Sequence, residues 1–322
     1  MASKGTGRIS KVDLRGVEPG GPGWEEAKAA VTASMEALGA VLVVHDAVDP
    51  DLHQALFGRA APEFFALPLD VKQRLVKGPI DGYLARSPRA PVCESVRIWE
   101  ATHGGGPAAG RNWGDVVWPR GNPSFRDTVS TFAKNMMALE RTVSTMILES
   151  LGVRDEERLG SHLDTLAYNV RLAHYRPPAD AITGAVGNDM LMQAHRDLST
   201  LSIVVQHDVE GLEVQLGDGS WVAVPPEPGT VAVFAGEMLT VVTNGRVPAG
   251  VHRVRTPSNR ERLSALFFSQ PKGGSTVRPL EELVGEDHPR RYNPCNLDEY
   301  IEFRFTGDGR KFSDPLKGFC GV

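Results

Sequence analysis

Between Asn122 and Gly152, apolar residues recur at Phe125, Val129, Phe132, Met136, Leu139, Val143 and Ile147, in steps that place them on one face of a helix. Asn122 supplies an N-cap, Pro123 the first helical position and Gly152 the stop. Two shorter helices are predicted upstream: the alanine-rich stretch 24–38, closed by Gly39, and 51–65, closed near Leu67-Pro68. Between them, residues 40–44 (AVLVV) are short, apolar and largely β-branched, as a buried strand requires. Residues 78–123 carry many Gly, Pro and Arg and no clear period, which suits a lid or a substrate wall. After residue 165 the period becomes that of strands, with β-rich runs at 167–175, 198–206, 212–215, 221–224, 231–234, 251–255 and 263–269. Gly217-Asp218-Gly219 is a hairpin turn signal between two of them.

Many short strands with Gly and Pro punctuation predict a mainly β sandwich or closed barrel with helices. The expected organisation is an N-terminal helical and strand region with the substrate loop (1–121), a long packing helix (122–163), a binding barrel (164–275) and a C-terminal cover (276–322). A hydrophobic content of 41% and a charged content of 23% fit an ordinary soluble domain. With net charge −5 and no dense basic stripe, neither nucleic acid nor an anionic membrane is an expected partner; the oligomeric state stays open. Cys93, Cys295 and Cys320 are odd in number and form no Cys-x-x-Cys, so a reducing, cytoplasmic compartment is expected.

The chemistry is concentrated in His195-Arg196-Asp197, His252 and Arg262-Leu263-Ser264. Two histidines and one carboxylate leave half of an octahedral sphere open, the arrangement of non-haem iron oxygenases. Residues two apart on a strand share a face, so His195 and Asp197 are expected to reach one metal together, with His252 arriving from a second strand. Arg262 and Ser264 likewise share a face and offer a planar fork of donors beside a hydroxyl, suited to a carboxylate. A His-x-Asp alone is common by chance; the ordered set on three β-like runs carries the inference. For a small planar metabolite, Tyr83, Trp99, Trp113, Trp118 and Phe268 are candidate aromatic walls, with Tyr83 expected nearest the metal. Arg97 and Arg246 could meet an acidic substrate, although solvation is the simpler reading of both. The methionines of the long helix read as core packing.

The wording AHRDLSTLSIVVQ, GLEVQLGDGSWVAV, VHRVRT and RLSALFFSQPK, between Gln193 and Lys272, resembles the catalytic barrel of plant-type 2-oxoglutarate- and Fe(II)-dependent dioxygenases. DLRG, ALGAVLVVHDAVDPDL and EFFALPLDVKQRL resemble that family's helical N-terminal region, so the likeness covers nearly the whole chain. CESVRIWE, WPRGNPSF, MILESLG and the terminal FCGV are most similar to the subgroup of glucosinolate-modifying dioxygenases and dioxygenases for auxin oxidation. The resemblance implies a double-stranded β-helix (jelly-roll) core and an enzyme using Fe(II), 2-oxoglutarate and O2, with ascorbate helpful. It assigns the metal to His195, Asp197 and His252, and the co-substrate to Arg262, Ser264 and Tyr175. The family's Asn-Tyr-Tyr-Pro is here Ala173-His174-Tyr175-Arg176, so an amide contact from the first position is missing, and His174 is expected to point away from the metal. The substrate implied is a small hormone or specialised metabolite, with indole-3-acetate the first compound to try. Two alternatives stay open on the residues alone: an iron oxidase of the same fold that does not use 2-oxoglutarate, and a metal-free ligand-binding jelly-roll.

Overall fold

The structure, a computed structural model, describes residues 8–76, 81–86, 92–99, 101, 113–176, 190–255, 260–306 and 308–322. Strand β1 (Lys11–Asp13) precedes helix α1 (Trp24–Leu38), which buries Trp24, Ala27, Val31 and Met35 along one face. Gly39 ends α1 at φ 63°, its N–H donating to the Met35 carbonyl. A Cβ there would meet the Pro248 carbonyl at 2.2 Å, so glycine is required by conformation and by space. Strand β2 (Ala40–Val44) follows. The helical path expected over 51–65 is present in three pieces: α2 (Pro50–Gln54), a π-helical turn (Ala55–Ala60) and α3 (Ala61–Phe65). The wide turn comes just before Pro62, whose ring would otherwise press on the carbonyl one turn back. Helix α4 (Leu69–Gln73) completes this layer.

The aperiodic stretch 78–123 is more ordered than its sequence suggests. It holds β3 (Tyr83–Leu84), the seven-residue β4 (Cys93–Trp99) and α5 (Trp113–Val117). The rest of the expected lid, residues 78–80, 87–91, 100 and 102–112, lies outside the described residues. Helix α6 (Pro123–Leu151) has the expected caps: Asn122 Oδ1 accepts from the Phe125 N–H at 3.0 Å, and Gly152 closes it at φ 109°. The segment 122–163 is nevertheless two helices rather than one, because Asp155 caps a separate α7 (Glu156–Asp164).

The remaining strands are β5 (Leu166–Tyr175), β6 (Met190–His195), β7 (Leu201–Gln206), β8 (Leu212–Gln215), β9 (Trp221–Ala223), β10 (Thr230–Ala235), β11 (His252–Arg255) and β12 (Arg262–Pro271). Helix α8 (Glu237–Val242) follows β10. The C-terminal segment adds β13 (Thr276–Val277), β14 (Cys295–Asn296), α9 (Leu297–Thr306) and α10 (Pro315–Cys320). Among the described residues, eight strands form one sheet in the order β1-β2-β10-β7-β12-β5-β4-β3, and four form a second in the order β6-β11-β8-β9. Cross-strand register shows how the large sheet divides its faces. Val41, Val233, Ile203, Phe267, Val170 and Ile98 form one continuous row of directly opposed residues, all buried, which joins α6 in the main core. The neighbouring row, Leu42, Ala232, Val204, Leu266, Arg171 and Arg97, faces the opposite way. The jelly-roll expected from the sequence is therefore present, with α6 behind the large sheet. Among the described residues, no helix is long and apolar enough to cross a membrane.

Candidate metal and co-substrate site

His195 ends β6 and His252 begins β11, and the two stand directly opposite each other in the antiparallel ladder. Asp197 is not on a strand. It lies in the bend that leads from β6 to β7, so strand alternation is not what aims it. Backbone donors hold that bend instead: the N–H groups of Glu237, Gly236 and Met238 donate to the carbonyls of Asp197, Thr200 and Ser199 at 2.8, 2.9 and 3.1 Å. A Cβ on Gly236 would lie 2.0 Å from the Ser199 carbonyl oxygen, so glycine is the residue that permits this approach. From the other side, Arg304 of α9 pairs with the buried Glu237 and donates through Nη2 to the Arg196 carbonyl at 3.1 Å. Tyr300 donates to the same Glu237 carboxylate at 2.9 Å. Burial pushes the Glu237 pKa up to about 7, against the pull of Arg304.

The metal-ligating atoms of His195, Asp197 and His252 all lie within 4.8 Å of one another. His195 Nε2 is 3.7 Å from Asp197 Oδ1, and His252 Nε2 is 3.7 Å from Asp197 Oδ2. Each imidazole turns Nδ1 toward a carbonyl, Gln193 at 2.8 Å and Gly250 at 3.2 Å. A carbonyl can only accept, so Nδ1 carries the proton and Nε2 is left as a lone-pair ligand. Phe234 stacks on the His252 ring at 4.3 Å and fixes its plane. Burial, and then the His252 charge, pull the His195 pKa down to about 4, so it is neutral at pH 7. Burial works against the Asp197 carboxylate, but the two imidazoles and the Ser202 hydroxyl outweigh it and hold the pKa below its usual value. A neutral His195 imidazole beside an ionised Asp197 carboxylate is the donor state that a divalent cation needs.

Arg262 opens β12 directly opposite Tyr175 at the end of β5. Its guanidinium is 1% exposed and, among the described residues, has no carboxylate partner: Nη2 donates to Gln206 Oε1 at 2.9 Å, Nη1 to Ser264 Oγ at 3.4 Å, and Nε meets no acceptor. Its carbon centre is 5.0 Å from the Tyr175 ring. Burial lowers the Arg262 pKa and raises that of Tyr175, leaving a cation and a protonated phenol. A buried cation with an orphan N–H is an incomplete anion site. Gln206 escaped the sequence reading. Its Nε2 donates to the Val224 carbonyl at 2.8 Å, which turns Oε1 toward Arg262.

These two groups share one cavity, bounded also by Arg171, Met192, Leu266 and Phe268. Of the five aromatic residues expected on the substrate wall, Phe268 lines it. Tyr83, expected nearest the metal, is 2% exposed and donates to Glu94 Oε2 at 2.6 Å, in a buried set with Lys72 and Glu94. Trp118 packs on Phe64 and Phe125, in the core layer. Trp99 stands in the same cross-strand row as Phe268, through Asn169, and donates to Asp81 Oδ1 at 2.5 Å. Trp113 begins α5, and its side chain lies outside the described part of the structure. His174 turns from the cavity to Glu94 and Glu261. Arg246 donates to the Leu151 carbonyl at 2.9 Å, a structural contact. Arg171 on the cavity wall was not foreseen; only the β4–β5–β12 register reveals it.

A jelly-roll that presents two imidazoles and a carboxylate beside a buried, unpaired guanidinium defines a class, and the comparisons with known proteins agree with it. Residues 168–271 match the 2OG-Fe(II) oxygenase superfamily. A probable 2-oxoglutarate-dependent dioxygenase of Arabidopsis thaliana, AOP1.2, is 31% identical over 306 residues, covering 94% of this chain and 92% of that one. The chain belongs to the 2-oxoglutarate- and Fe(II)-dependent dioxygenase family, and its cofactors are those of the family. The rice dioxygenase for auxin oxidation is a structural neighbour at 28% identity and a TM-score of 0.79, covering 97% of this chain and 100% of that one. The Arabidopsis thaliana dioxygenase for auxin oxidation 1, solved with 2-oxoglutarate, has the same fold at 22% identity and a TM-score of 0.74, covering 88% and 100%.

Proposed function

We propose that this chain holds one Fe(II) on His195, Asp197 and His252, anchors 2-oxoglutarate on Arg262, Ser264 and Tyr175, and oxidises a small aromatic acid such as indole-3-acetate. The observation that carries the co-substrate assignment is the buried Arg262, whose Nε has no partner among the described residues. When bound, metal and co-substrate supply the oxidation, with 2-oxoglutarate passing to succinate and CO2 and O2 consumed. The protein's part is geometric and electrostatic. Nδ1–H contacts from both imidazoles fix the ligand tautomers, and the α8 N-terminus fixes the bend that carries Asp197. Arg262, Ser264 and Tyr175 orient the distal carboxylate. Phe268, Leu266 and Met192 give the cavity an apolar wall beside its charged groups, which limits the access of water.

The rice neighbour acts in auxin oxidation, and this supports indole-3-acetate as the first compound to offer. Cys93, Cys295 and Cys320 are all buried and free, which suits a cytoplasmic setting. The test is turnover with Fe(II), 2-oxoglutarate and O2. Succinate and oxidised arylacetate should form in equal amounts. Oxidised product without 2-oxoglutarate consumption would instead favour an oxidase.

A further inference from the structure

Arg97 of β4 and Arg171 of β5 stand directly opposite each other on the sheet face that carries Arg262 and Ser264. Like charges in that position destabilise a ladder unless something lies between them. Among the described residues, no carboxylate pairs with either guanidinium. Arg171 Nε donates to the Ser95 hydroxyl at 3.0 Å, and Arg97 Nε is buried without a partner. Arg97 also lies over the Phe268 ring, 5.5 Å from its centre, with Trp99 at 6.0 Å on another side. Burial, and then the neighbouring Arg171, bring the Arg97 pKa down to about 10, which still leaves it charged at neutral pH.

Backbone position sets this pair apart from the co-substrate anchor. Arg171 precedes Tyr175 by four residues on β5, a rise of about 13 Å. The four carbon–carbon bonds of 2-oxoglutarate, at about 1.5 Å each, span at most about 6 Å. The Arg171 side chain nevertheless reaches toward the anchor, where its charge acts on Tyr175 and Asp197, so the pair borders the co-substrate site and Arg97 lies on its far side, on the next strand. Charge points the same way. A ferrous ion, the Asp197 carboxylate, the Arg262 guanidinium and dianionic 2-oxoglutarate cancel in formal charge; Asp81, whose charge acts on Arg97, offsets one of the two remaining guanidinium charges and leaves one over.

We propose that Arg97 and Arg171 form a carboxylate-binding subsite for the primary substrate, whose ring lies against Phe268 and Trp99. The subsite makes the enzyme selective for aromatic monocarboxylates over their uncharged amides, and it rests on the dioxygenase reading above. A planar carboxylate between two forked donors offers bidentate geometry to each and removes the repulsion between them.

The test is anaerobic isothermal titration calorimetry on the full chain loaded with Fe(II) and 2-oxoglutarate, so that no turnover intervenes. The probes are indole-3-acetate and phenylacetate, each beside its primary amide. Both acids should bind at least roughly tenfold more tightly than their amides. R97Q and R171Q should each bring the acid to the level of its amide, whereas R97K should keep the preference. The 2-oxoglutarate affinity of R97Q should stay within about threefold of the parent, which also reports that the variant is folded. Equal binding of acid and amide, binding of neither acid, or a preference that survives both glutamine substitutions overturns the subsite. Failure of the dioxygenase reading looks different: no heat on adding 2-oxoglutarate, before any acid is present. The acid–amide comparison then runs on the Fe(II)-loaded chain, where the same outcomes support or overturn the subsite. Failure of the substrate assignment alone would show as selective acid binding without oxidised product once O2 is admitted.

Discussion

Replacing Arg262 with methionine separates a binding role from a structural one. The parent guanidinium is 1% exposed, donates to Gln206 and Ser264, and has no carboxylate partner among the described residues. If the distal carboxylate of 2-oxoglutarate completes that site, the substitution breaks a desolvated, charge-assisted pair worth about 3 to 4 kcal/mol. At 1.36 kcal/mol per decade, the dissociation constant should rise by about 150- to 900-fold. Stability should behave differently. Methionine removes an uncompensated buried charge, a gain, while leaving Gln206 Oε1 short of a donor, a loss of about 1 kcal/mol. The two offset, so the melting temperature without co-substrate should change by no more than about 4 °C. The parent, at a 2-oxoglutarate concentration of about one hundred times its dissociation constant, gains about 2.7 kcal/mol from the ligand, and the variant should gain almost none. Calorimetric affinities and melting curves, taken with Fe(II) under anaerobic conditions, supply both readings. A variant with the parent's 2-oxoglutarate affinity and an unchanged iron content would refute the assignment of Arg262. Loss of fold without ligand would mean that Arg262 is structural.

Glu140 is fully buried in α6, burial pushes its pKa up to about 7, and one of its carboxyl oxygens has no partner. A raised pKa gives a contribution that is complete below the unfolded value and fades as pH rises through the folded one, here between about 4.5 and 7. Glu140→Gln should therefore gain about 3 kcal/mol over the parent at pH 8 relative to pH 4.5, measured by denaturant unfolding, and an equal gain at both pH values would dismiss the argument. Tyr83→Phe removes the 2.6 Å hydrogen bond to Glu94 and should cost about 2 kcal/mol of stability while 2-oxoglutarate affinity holds. Unchanged stability with lost substrate turnover would return Tyr83 to the substrate wall.

How much of this was legible depended on whether the signal lay within one element. Helix α6 announces itself through seven apolar residues in steps of three and four, and its caps lie next to it in sequence. The runs that became β7, β8, β10 and β12 are apolar enough to read as strands. Strand β4 was not, because Ser95 and Arg97 interrupt one of its faces and Glu94 the other, so neither reads as an apolar alternation. The ligand types at His195, Asp197 and His252 are visible in the chain, but the mechanism that aims Asp197 is not. It depends on Gly236, Glu237 and Met238, some forty residues away, meeting the bend through their backbone N–H groups. Arg171 and Gln206 were hidden for a related reason: their importance comes from cross-strand register with β4 and β12, which no single stretch contains. Tyr83 misled because a tyrosine beside glycine looks like a loop residue, whereas Lys72 and Glu94 draw it into the interior.

The most direct measurement is the iron content and 2-oxoglutarate affinity of the parent and of Asp197→Ala, reconstituted anaerobically and dialysed. The parent should retain one Fe(II) per chain, within the trio whose ligand atoms lie within 4.8 Å of one another, and should bind 2-oxoglutarate in an iron-dependent way. Asp197→Ala should lose most of the metal and, with it, the iron-dependent part of 2-oxoglutarate binding. A parent that takes up no iron, or an Asp197→Ala variant that keeps the full complement, would contradict the account.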